Sequence, residues 1–325
     1  MKNKITASAP GKLMLFGEHA VVYGYPCIVT AVDARIEVSA EKLASRELLI
    51  NAPDVEVSGY KKDIDKLGSG KEIPKGVKFI EFAVKNFKNK YGLQSGLKIT
   101  TKSSFSSKFG FGSSSAVTVA ALKAVSELFQ IKLTKKELFD LSYKTVREVQ
   151  RVGSGFDIAA AIWGGTLYFI GGGKKIVQIS RKSFPLVVGY TGIKADTVTL
   201  VKKVAELRKE KSKIIGFIFE LIALIVEDAK GSLQKGDYGR LGELANLNQG
   251  LLDAIGVNTK ELSDLIFASR LAGSFGGKLS GAGGGDCMIA FASRKCRKGV
   301  ESAIKAAGGT ILTVKAGEKG VRIEK

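Results

Sequence analysis

The stretch KFGFGSSSAVTVAALKAV, residues 108–125, places two glycines and three serines directly in front of a run with the composition of a helix. The first backbone N–H groups of a helix have no partner within it, and the helix dipole adds positive potential there. Gly110 and Gly112 would let the backbone approach an anion closely. Hydroxyl donors or a metal ligand would come from the serines Ser113, Ser114 and Ser115. The segment predicts a phosphate site, with a capped helix after a turn as the alternative.

Two further segments carry residues suited to the same chemistry. Lys12 follows Pro10 and Gly11 at the start of an apolar strand, where it would either neutralise phosphate charge or be solvated at the strand end. The segment KLSGAGGGDCMIAF, residues 278–291, has four glycines in the five residues 281–285. A hairpin needs one or two glycines, so four indicate backbone that passes close to a ligand or moves over it.

Charged residues around the segment GSGFD complete the set of candidates. Asp157 stands at the start of a predicted helix, where it would serve either as a helix cap or as a catalytic carboxylate. The preceding helix has charged residues at i, i+3, i+4 and i+7, which share one face: Lys144, Arg147, Glu148 and Arg151. Beside a phosphate site this stripe would hold an anionic substrate, and elsewhere it would be an ordinary solvated face.

Composition excludes several other chemistries. The chain of 325 residues has 45% hydrophobic and 25% charged residues, which is typical of a globular protein with a substantial core. Its three cysteines lack a C-x-x-C spacing, which argues against a disulfide framework or zinc ribbon and favours a reducing compartment. His19 is the one histidine, so sites built from several histidines are excluded. The net charge of +20 favours anionic partners without choosing among them.

The elements that would position these residues alternate between strands and helices. Paired strands are predicted in the first third, an exposed excursion over residues 60–76, and a helix over VKFIEFAVKNFKNKYG that Gly92 ends. The glycine-serine loop precedes a helix over 116–129, and a capping box of Thr134 and Glu137 opens another helix that runs to Val152. A domain boundary falls near residues 175–185. The remainder predicts an α+β domain with helices on one face of an antiparallel sheet.

Taken together and in this order, three motifs resemble those of the GHMP family of small-molecule kinases. They are APGKLMLFGEHAVV, the phosphate loop GFGSSSAVTVA and the glycine loop KLSGAGGGDC. The resemblance spans residues 7–291. It implies the two-domain GHMP kinase fold of the α+β class, with a ribosomal-S5-like N-terminal domain over residues 1–180 and a ferredoxin-like C-terminal domain over residues 181–325. ATP and an acceptor would bind between the domains.

The resemblance also implies roles for individual residues. Lys12 would neutralise charge on the transferred phosphoryl group, and Asp157 would orient or deprotonate the attacking hydroxyl. The ATP phosphates would be held by Gly110, Gly112, Ser113, Ser114 and Ser115. Mg²⁺ would contact Ser114 and, as a second ligand, Glu148. Acceptor contacts would come from His19, Lys144, Arg147, Arg151, Ser280, Gly281 and Asp286.

Within the family, the segments GSGFDIAAA and SGAGGGDC are most similar to phosphomevalonate kinases of the mevalonate pathway. Phosphomevalonate already bears a phosphate, which the basic side chains of Lys144, Arg147 and Arg151 would bind. Asp286 supports the same acceptor. We therefore expect phosphomevalonate as the acceptor. Mevalonate is the alternative, favoured by the pair Glu18-His19, which is similar to the first motif of mevalonate kinases.

The remaining expectations concern partners and location. A basic RNA-binding protein would also carry a large positive charge, but aromatic residues are only 8% of the chain and mostly sit in core-like runs. We therefore expect ATP, Mg²⁺ and a small-molecule acceptor as partners, with no nucleic acid and no membrane, and allow for a homodimer. The apolar run of residues 214–226 is too short to cross a bilayer, and no secretory signal is visible, so we expect a cytoplasmic protein.

Overall fold

The computed structural model describes residues 3–70 and 73–324. Its N-terminal elements alternate as the sequence predicts. In chain order they are β1 (Lys4–Phe16), β2 (Pro26–Leu43), β3 (Glu47–Ala52), β4 (Val57–Asp63), α1 (Lys78–Tyr91), β5 (Gly96–Ser103), α2 (Ser113–Leu128), α3 (Lys135–Gln150), α4 (Phe156–Trp163), β6 (Thr166–Ile170) and β7 (Lys175–Ser180). Part of the predicted excursion at 60–76 is the strand β4, and residues 71 and 72 lie outside the described residues.

The long strand β2 organises the first sheet. It pairs with β1 along its length, with β6 through residues 26–30 and with β5 through residues 36–43, all antiparallel. β3 pairs parallel with β5 and antiparallel with β4. The register of β1 against β2 shifts between Pro10 and Gly11, just before Lys12, and the extra residues of this bulge lie on β2 between Val32 and Arg35.

The C-terminal elements form a second, smaller sheet with helices packed on it. They are β8 (Leu186–Tyr190), α5 (Thr197–Glu210), α6 (Ser212–Lys235), α7 (Tyr238–Ala254), α8 (Lys260–Leu271), β9 (Gly276–Ser280), β10 (Cys287–Phe291), α9 (Arg297–Ala306), β11 (Thr310–Ile311) and β12 (Arg322–Ile323). The strand order β11-β8-β10-β9 is antiparallel throughout. The last strand, β12, returns to the first sheet and pairs with β1.

The two sheets separate between Ser180, where β7 ends, and Leu186, where β8 begins. The domain limits of 1–180 and 181–325 stay a prediction. Across the described residues, no helix combines the length and apolar character needed to span a bilayer.

Helix α2 explains the small residues behind the glycine-serine loop. It lies on β1 and β2, and its inward side chains Ala116, Val119 and Ala120 are fully buried. Small side chains let the helix approach the sheet closely, and that approach fixes the position of its N-terminus. The helix begins three residues earlier than predicted, so the three serines form its first turn.

The following helix confirms its predicted start and corrects its predicted end. In α3 the side chain of Thr134 accepts from the N–H of Glu137, and the carboxylate of Glu137 accepts from the N–H of Thr134, which forms the predicted capping box. The helix stops at Gln150 and not at Val152, because Arg151 has left-handed backbone (φ 63°).

Candidate active site

The mouth of α2 has the open backbone that anion binding requires. Its cap is Gly112, with φ 74° and ψ 38°, and no side chain caps the helix. Gly110 also has a positive φ of 69°. Both conformations favour glycine. Ser113 and Ser114 are partly exposed, whereas Ser115 is buried.

Lys12 reaches this mouth from β1. Its backbone N–H donates to the carbonyl oxygen of Phe111 (2.9 Å), and its Nζ donates to the carbonyl oxygen of Gly110 (2.7 Å). The side chain is buried, so it is not the solvated strand-end lysine of the alternative interpretation. Burial lowers the pKa of Lys12 below its ordinary value, while the nearby carboxylates Asp157 and Asp286 counteract that shift.

Asp157 also lies beside the mouth. It lies in the first turn of α4, whose cap is Gly155, so Asp157 does not cap the helix. Its carboxylate accepts from the hydroxyl of Ser115 and from the backbone N–H of Ile158 (3.0 Å). The Ser115 hydroxyl therefore has a partner already and orients the carboxylate.

One measurement locates the convergence of Lys12 and Asp157. A Cβ atom added at Gly112 would lie 3.3 Å from both Cγ and Cε of Lys12 and 3.6 Å from Cβ of Asp157. The side chains of Lys12 and Asp157 thus flank the same point at the start of α2. That point is where the helix-end N–H groups face outward.

The glycine loop of the second sheet brings the carboxylate of Asp286 close to Gly110 at this mouth. That carboxylate accepts from the backbone N–H of Ala195 (3.0 Å) and pairs with Nζ of Lys194 (3.2 Å). A Cβ at Gly110 would lie 2.6 Å from the same carboxylate, so only glycine fits opposite it. The thiol of the next residue, Cys287, donates to the carbonyl oxygen of Phe109 (3.1 Å), and burial raises its pKa.

The glycines of this loop differ in how closely other atoms pack against them. Added Cβ atoms at Gly283 and Gly285 would collide with the carbonyl oxygens of Val257 (2.1 Å) and Ile193 (2.7 Å), so these glycines serve close packing. Gly281 has no atom within 4 Å of such a Cβ. Of these three glycines, only Gly281 offers room for a ligand.

Two other predicted acceptor residues are committed to contacts between the sheets. The hydroxyl of Ser280 donates to the carbonyl oxygen of Met14 (2.8 Å) and accepts from its N–H (3.1 Å), which joins β9 to β1. Nε2 of His19 donates to the carbonyl oxygen of Ala282 (2.9 Å), so the proton is on Nε2. Burial lowers the pKa of His19, which favours the neutral ring.

The charged stripe of α3 makes its contacts apart from this cluster. Glu148 accepts from Nδ2 of Asn86 (3.2 Å) and lies 3.6 Å from Nζ of Lys85 and 4.0 Å from Nζ of Lys144. The guanidinium of Arg147 stands 5.8 Å from the ring centre of Tyr143, within the same exposed face. Arg151 is exposed beyond the helix end. The predicted roles of these residues toward metal and acceptor stay predictions.

Three further residues at the site went unpredicted. Nε2 of Gln150 donates to Oγ of Ser114 (3.4 Å), and Lys194 holds Asp286. Lys278 pairs with Glu18, and both side chains are almost wholly buried. A lysine inside the apolar strand GGKLS was the one sequence signal for that pair, since a lysine there needs a buried partner.

Two cavities lie outside the cluster. One, of about 590 Å³, is bounded by the β6–β7 hairpin and the C-terminal segment, near Trp163, Arg181 and Lys319. Another, of about 290 Å³, lies behind the phosphate loop, near Phe109 and Phe111. Neither is lined by Lys12 or Asp157. We place the candidate site at the mouth of α2 because the convergent charges, and not cavity size, carry phosphoryl chemistry.

Comparison with known proteins decides the family. The family model described as "GHMP kinases N terminal domain" matches residues 78–165, and "GHMP kinases C terminal" matches residues 229–309. The chain is 38% identical to the mevalonate kinase of Pyrococcus furiosus over 99% of this chain and 98% of that protein. It is 38% identical to the mevalonate kinase of Pyrococcus abyssi over 100% and 99%. The chain belongs to the GHMP kinase family.

A solved GHMP kinase structure agrees with the fold. The L. major mevalonate kinase in complex with R-mevalonate is 27% identical, with a TM-score of 0.79, covering 97% of each chain. The predicted two-domain GHMP kinase fold of mixed α and β content is confirmed. The protein is a small-molecule kinase of the mevalonate-pathway branch, and GHMP kinases use ATP as phosphate donor.

The predicted acceptor, phosphomevalonate, is wrong. The GHMP kinases that are 36% to 38% identical over the full chain are mevalonate kinases. The residues behind that prediction have partners within the protein itself. Asp286 fastens the loop at Lys194 and Ala195 to the second sheet, and the basic stripe makes contacts on its own exposed face.

Proposed function

We propose that this protein is a mevalonate kinase, which transfers the γ-phosphoryl group of ATP to the 5-hydroxyl of mevalonate. The relatives support this acceptor. The convergence of Lys12 and Asp157 at the mouth of α2, with each near the same point beside Gly112, is the structural observation that carries the proposed chemistry. Phosphoryl transfer depends mainly on positioning and charge stabilisation, and this cluster supplies both.

The proposed roles follow from the chemistry of each group. The N–H groups of the first turn of α2 hold the phosphate oxygens. Lys12, kept beside the mouth by Gly110, offsets the negative charge that develops on the transferred phosphoryl group. Asp157, oriented by Ser115 and the N–H of Ile158, accepts the proton of the attacking hydroxyl. The new bond joins that oxygen to phosphorus, and the bond from the γ-phosphorus to the oxygen bridging it to the β-phosphate breaks.

The donor set fits a magnesium ion that is held largely by the nucleotide. Mg²⁺ prefers oxygen ligands and takes one or two from the protein, with the rest from phosphates and water. Ser114, partly exposed in the first turn of α2, offers such an oxygen, and no group of three or more His, Cys, Asp or Glu side chains among the described residues forms a cage. When bound, Mg²⁺ neutralises charge on the phosphates. A second contact from Glu148 would require that carboxylate to exchange its present partners.

Acceptor binding is proposed on the side of the glycine loop. Gly281 leaves open space, and His19, with its proton committed to Ala282, presents Nδ1 as an acceptor. Ser280 supports this region by joining β9 to β1. The basic residues Lys144, Arg147 and Arg151 remain candidates for the carboxylate of mevalonate.

The proposal is tested by an acceptor screen with ATP and Mg²⁺, in which kcat/KM is measured for mevalonate, phosphomevalonate, galactose and homoserine. We expect mevalonate to be strongly preferred. The variant Asp157→Ala serves as control and should lose about 10²- to 10⁴-fold in kcat while still binding Mg·ATP by calorimetry. A higher kcat/KM for another acceptor would contradict mevalonate as the substrate. Near-normal turnover by the variant would show that Asp157 does not accept the proton of the hydroxyl.

A further inference from the structure

One of the two cavities outside the cluster has a net positive lining. It is the cavity of about 590 Å³ beside Trp163, whose volume is in the range of sites that hold a small organic molecule. The charged side chains that line it are Arg181, Glu318, Lys319 and Arg322. Arg322 and Glu318 pair with each other (3.3 Å), whereas Arg181 and Lys319 have no ion-pair partner among the described residues. The cavity therefore favours an anionic ligand.

The uncharged part of the lining indicates what else the ligand carries. Trp163 alone, of the described residues that line the cavity, has a large apolar side chain. The buried ring of Phe139 meets its indole at 66°, with ring centres 5.9 Å apart, which holds the indole in place. The rest of the uncharged lining is Gln178 and three glycines, which give no apolar cover. One aromatic plane beside cations suits a nucleobase and its phosphate, whereas a hydrocarbon tail would stay against water.

The wall of the cavity also supports the helix that carries Asp157. Trp163 is the last residue of α4, and Asp157 lies in the first turn of the same helix. Nε2 of Gln178 donates to the carbonyl oxygens of Gly164 (2.8 Å) and Trp163 (3.3 Å) at the end of α4. Oε1 of Gln178 in turn accepts from Nε of Arg181. A phosphate on the terminal nitrogens of Arg181 would therefore fix Gln178 and, through it, the end of α4.

The same wall contacts the strand pair that positions Lys12. Ala31 is the residue of β2 that pairs with Lys12 of β1. Its carbonyl oxygen accepts from the backbone N–H groups of Gly317 (2.9 Å) and Glu318 (3.2 Å), and its own N–H donates to the carbonyl oxygen of Gly165 (2.9 Å). All three of these partners line the cavity. The cavity is thus one hydrogen bond away from the strand position opposite Lys12.

We propose that this cavity is an allosteric site for a nucleoside phosphate. The base lies against the indole of Trp163, and Arg181 and Lys319 bind the phosphate. A ligand that fits the cavity as it stands favours the arrangement in which Lys12 and Asp157 converge, so its binding raises turnover. Binding to the cavity is independent of the acceptor, whereas the effect on turnover rests on the proposed roles of Lys12 and Asp157.

Binding is tested by the fluorescence of Trp163, which reports on the cavity because the chain has no other tryptophan. The full chain is first saturated with Mg²⁺ and a non-hydrolysable ATP analogue, which fills the nucleotide site at α2, and AMP is then added. We expect saturable quenching by AMP, and much weaker binding of inorganic phosphate and of octyl phosphate. If AMP did not quench the fluorescence, or if either of the other two bound more tightly than AMP, the proposal would be wrong.

Charge reversal tests where the ligand binds. Arg181→Glu should weaken AMP binding at least about tenfold, because a charged hydrogen-bond donor is replaced by a repelling carboxylate. Lys319→Glu, on a separate segment, should weaken it likewise. Lys182→Glu is the matched control, since Lys182 is exposed and is not among the residues that line the cavity, and it changes the net charge of the chain equally. An equal loss of binding in all three variants would reduce the effect to overall charge and contradict the site.

Steady-state kinetics test the coupling between the two sites. At saturating ATP, where AMP does not compete at the nucleotide site, we expect AMP to raise kcat several-fold. Arg181→Glu should lose this increase, and Lys182→Glu should retain it. An unchanged or lower kcat while AMP quenches Trp163 would contradict the allosteric effect. The fluorescence titration needs no acceptor, so a failure of mevalonate as the substrate would leave its result intact and is distinguishable from a failure of this proposal.

Discussion

At the scale of single residues, the site depends on a lysine whose burial disfavours its charged form. Lys12 is buried at the mouth of α2, where its backbone N–H donates to the carbonyl oxygen of Phe111 and its Nζ donates to that of Gly110. Desolvation alone disfavours its charge, and Asp157 and Asp286 compensate in part. A bound anion would offset the rest of the cost of burying the charge of Lys12.

This burial predicts an alkaline limit to activity. The protonated form of Lys12 is the active one, and its pKa lies below the ordinary 10.5, so kcat/KM should fall at lower pH than for an exposed lysine. In Lys12→Arg, whose guanidinium stays charged, the fall should move to higher pH, at a lower kcat because the geometry at Gly110 differs. Lys194→Arg is the control, and it should leave the pH at which kcat/KM falls unchanged. If kcat/KM of Lys12→Arg fell at the same pH as that of the original protein, the fall would belong to another group.

At the scale of elements, the phosphate loop requires glycine for two separable reasons. Gly110 and Gly112 both adopt positive φ, and both also lie where a side chain would enter the site. At Gly110 the obstacle is the carboxylate of Asp286, and at Gly112 it is the stem of Lys12. Backbone strain affects stability, whereas displacement of Lys12 affects catalysis.

Two alanine variants separate these effects. Gly112 (φ 74°, ψ 38°) and Gly236 (φ 75°, ψ 23°) share a backbone conformation, but a Cβ at Gly236 meets nothing within 4 Å. Gly112→Ala and Gly236→Ala should each lose about 1–2 kcal/mol in the free energy of unfolding. Only Gly112→Ala should also lose kcat. Urea denaturation and steady-state kinetics measure both quantities, and a fully active Gly112→Ala would contradict the site geometry.

At the scale of the whole molecule, the two sheets are joined beneath the site by buried polar contacts. Lys278 on β9 pairs with Glu18, which follows β1, and Ser280 on the same strand bonds to Met14. Burial raises the pKa of Glu18 and lowers that of Lys278, and the charge of each partner counteracts the shift of the other. These contacts place the glycine loop over the mouth of α2.

Breaking the buried pair should therefore cost much more than breaking an exposed one. Lys278→Met leaves the Glu18 carboxylate buried without a partner and should lower the free energy of unfolding by about 3–5 kcal/mol. The double variant Glu18→Gln with Lys278→Met should recover part of that loss. Lys136→Met, at a pair whose side chains are 63% and 54% exposed, is the control and should change stability by less than about 1 kcal/mol. Equal losses at the two sites would show that Glu18 and Lys278 are not effectively buried.

Features written in local residue patterns were predictable from the sequence alone. The helix behind the glycine-serine loop, the capping box of Thr134 and Glu137, and the three ordered motifs with the family they imply all depend on residues close together in the chain. Only the tertiary structure brings Lys12, Gly112 and Asp157 to one point, because they come from three elements far apart along the chain. It also gives Asp286 and the α3 stripe their own contacts, which is why those residues misled the prediction of the acceptor. Burial and partnership are properties of the packed molecule, and they decide whether a charged residue serves chemistry or holds the fold together.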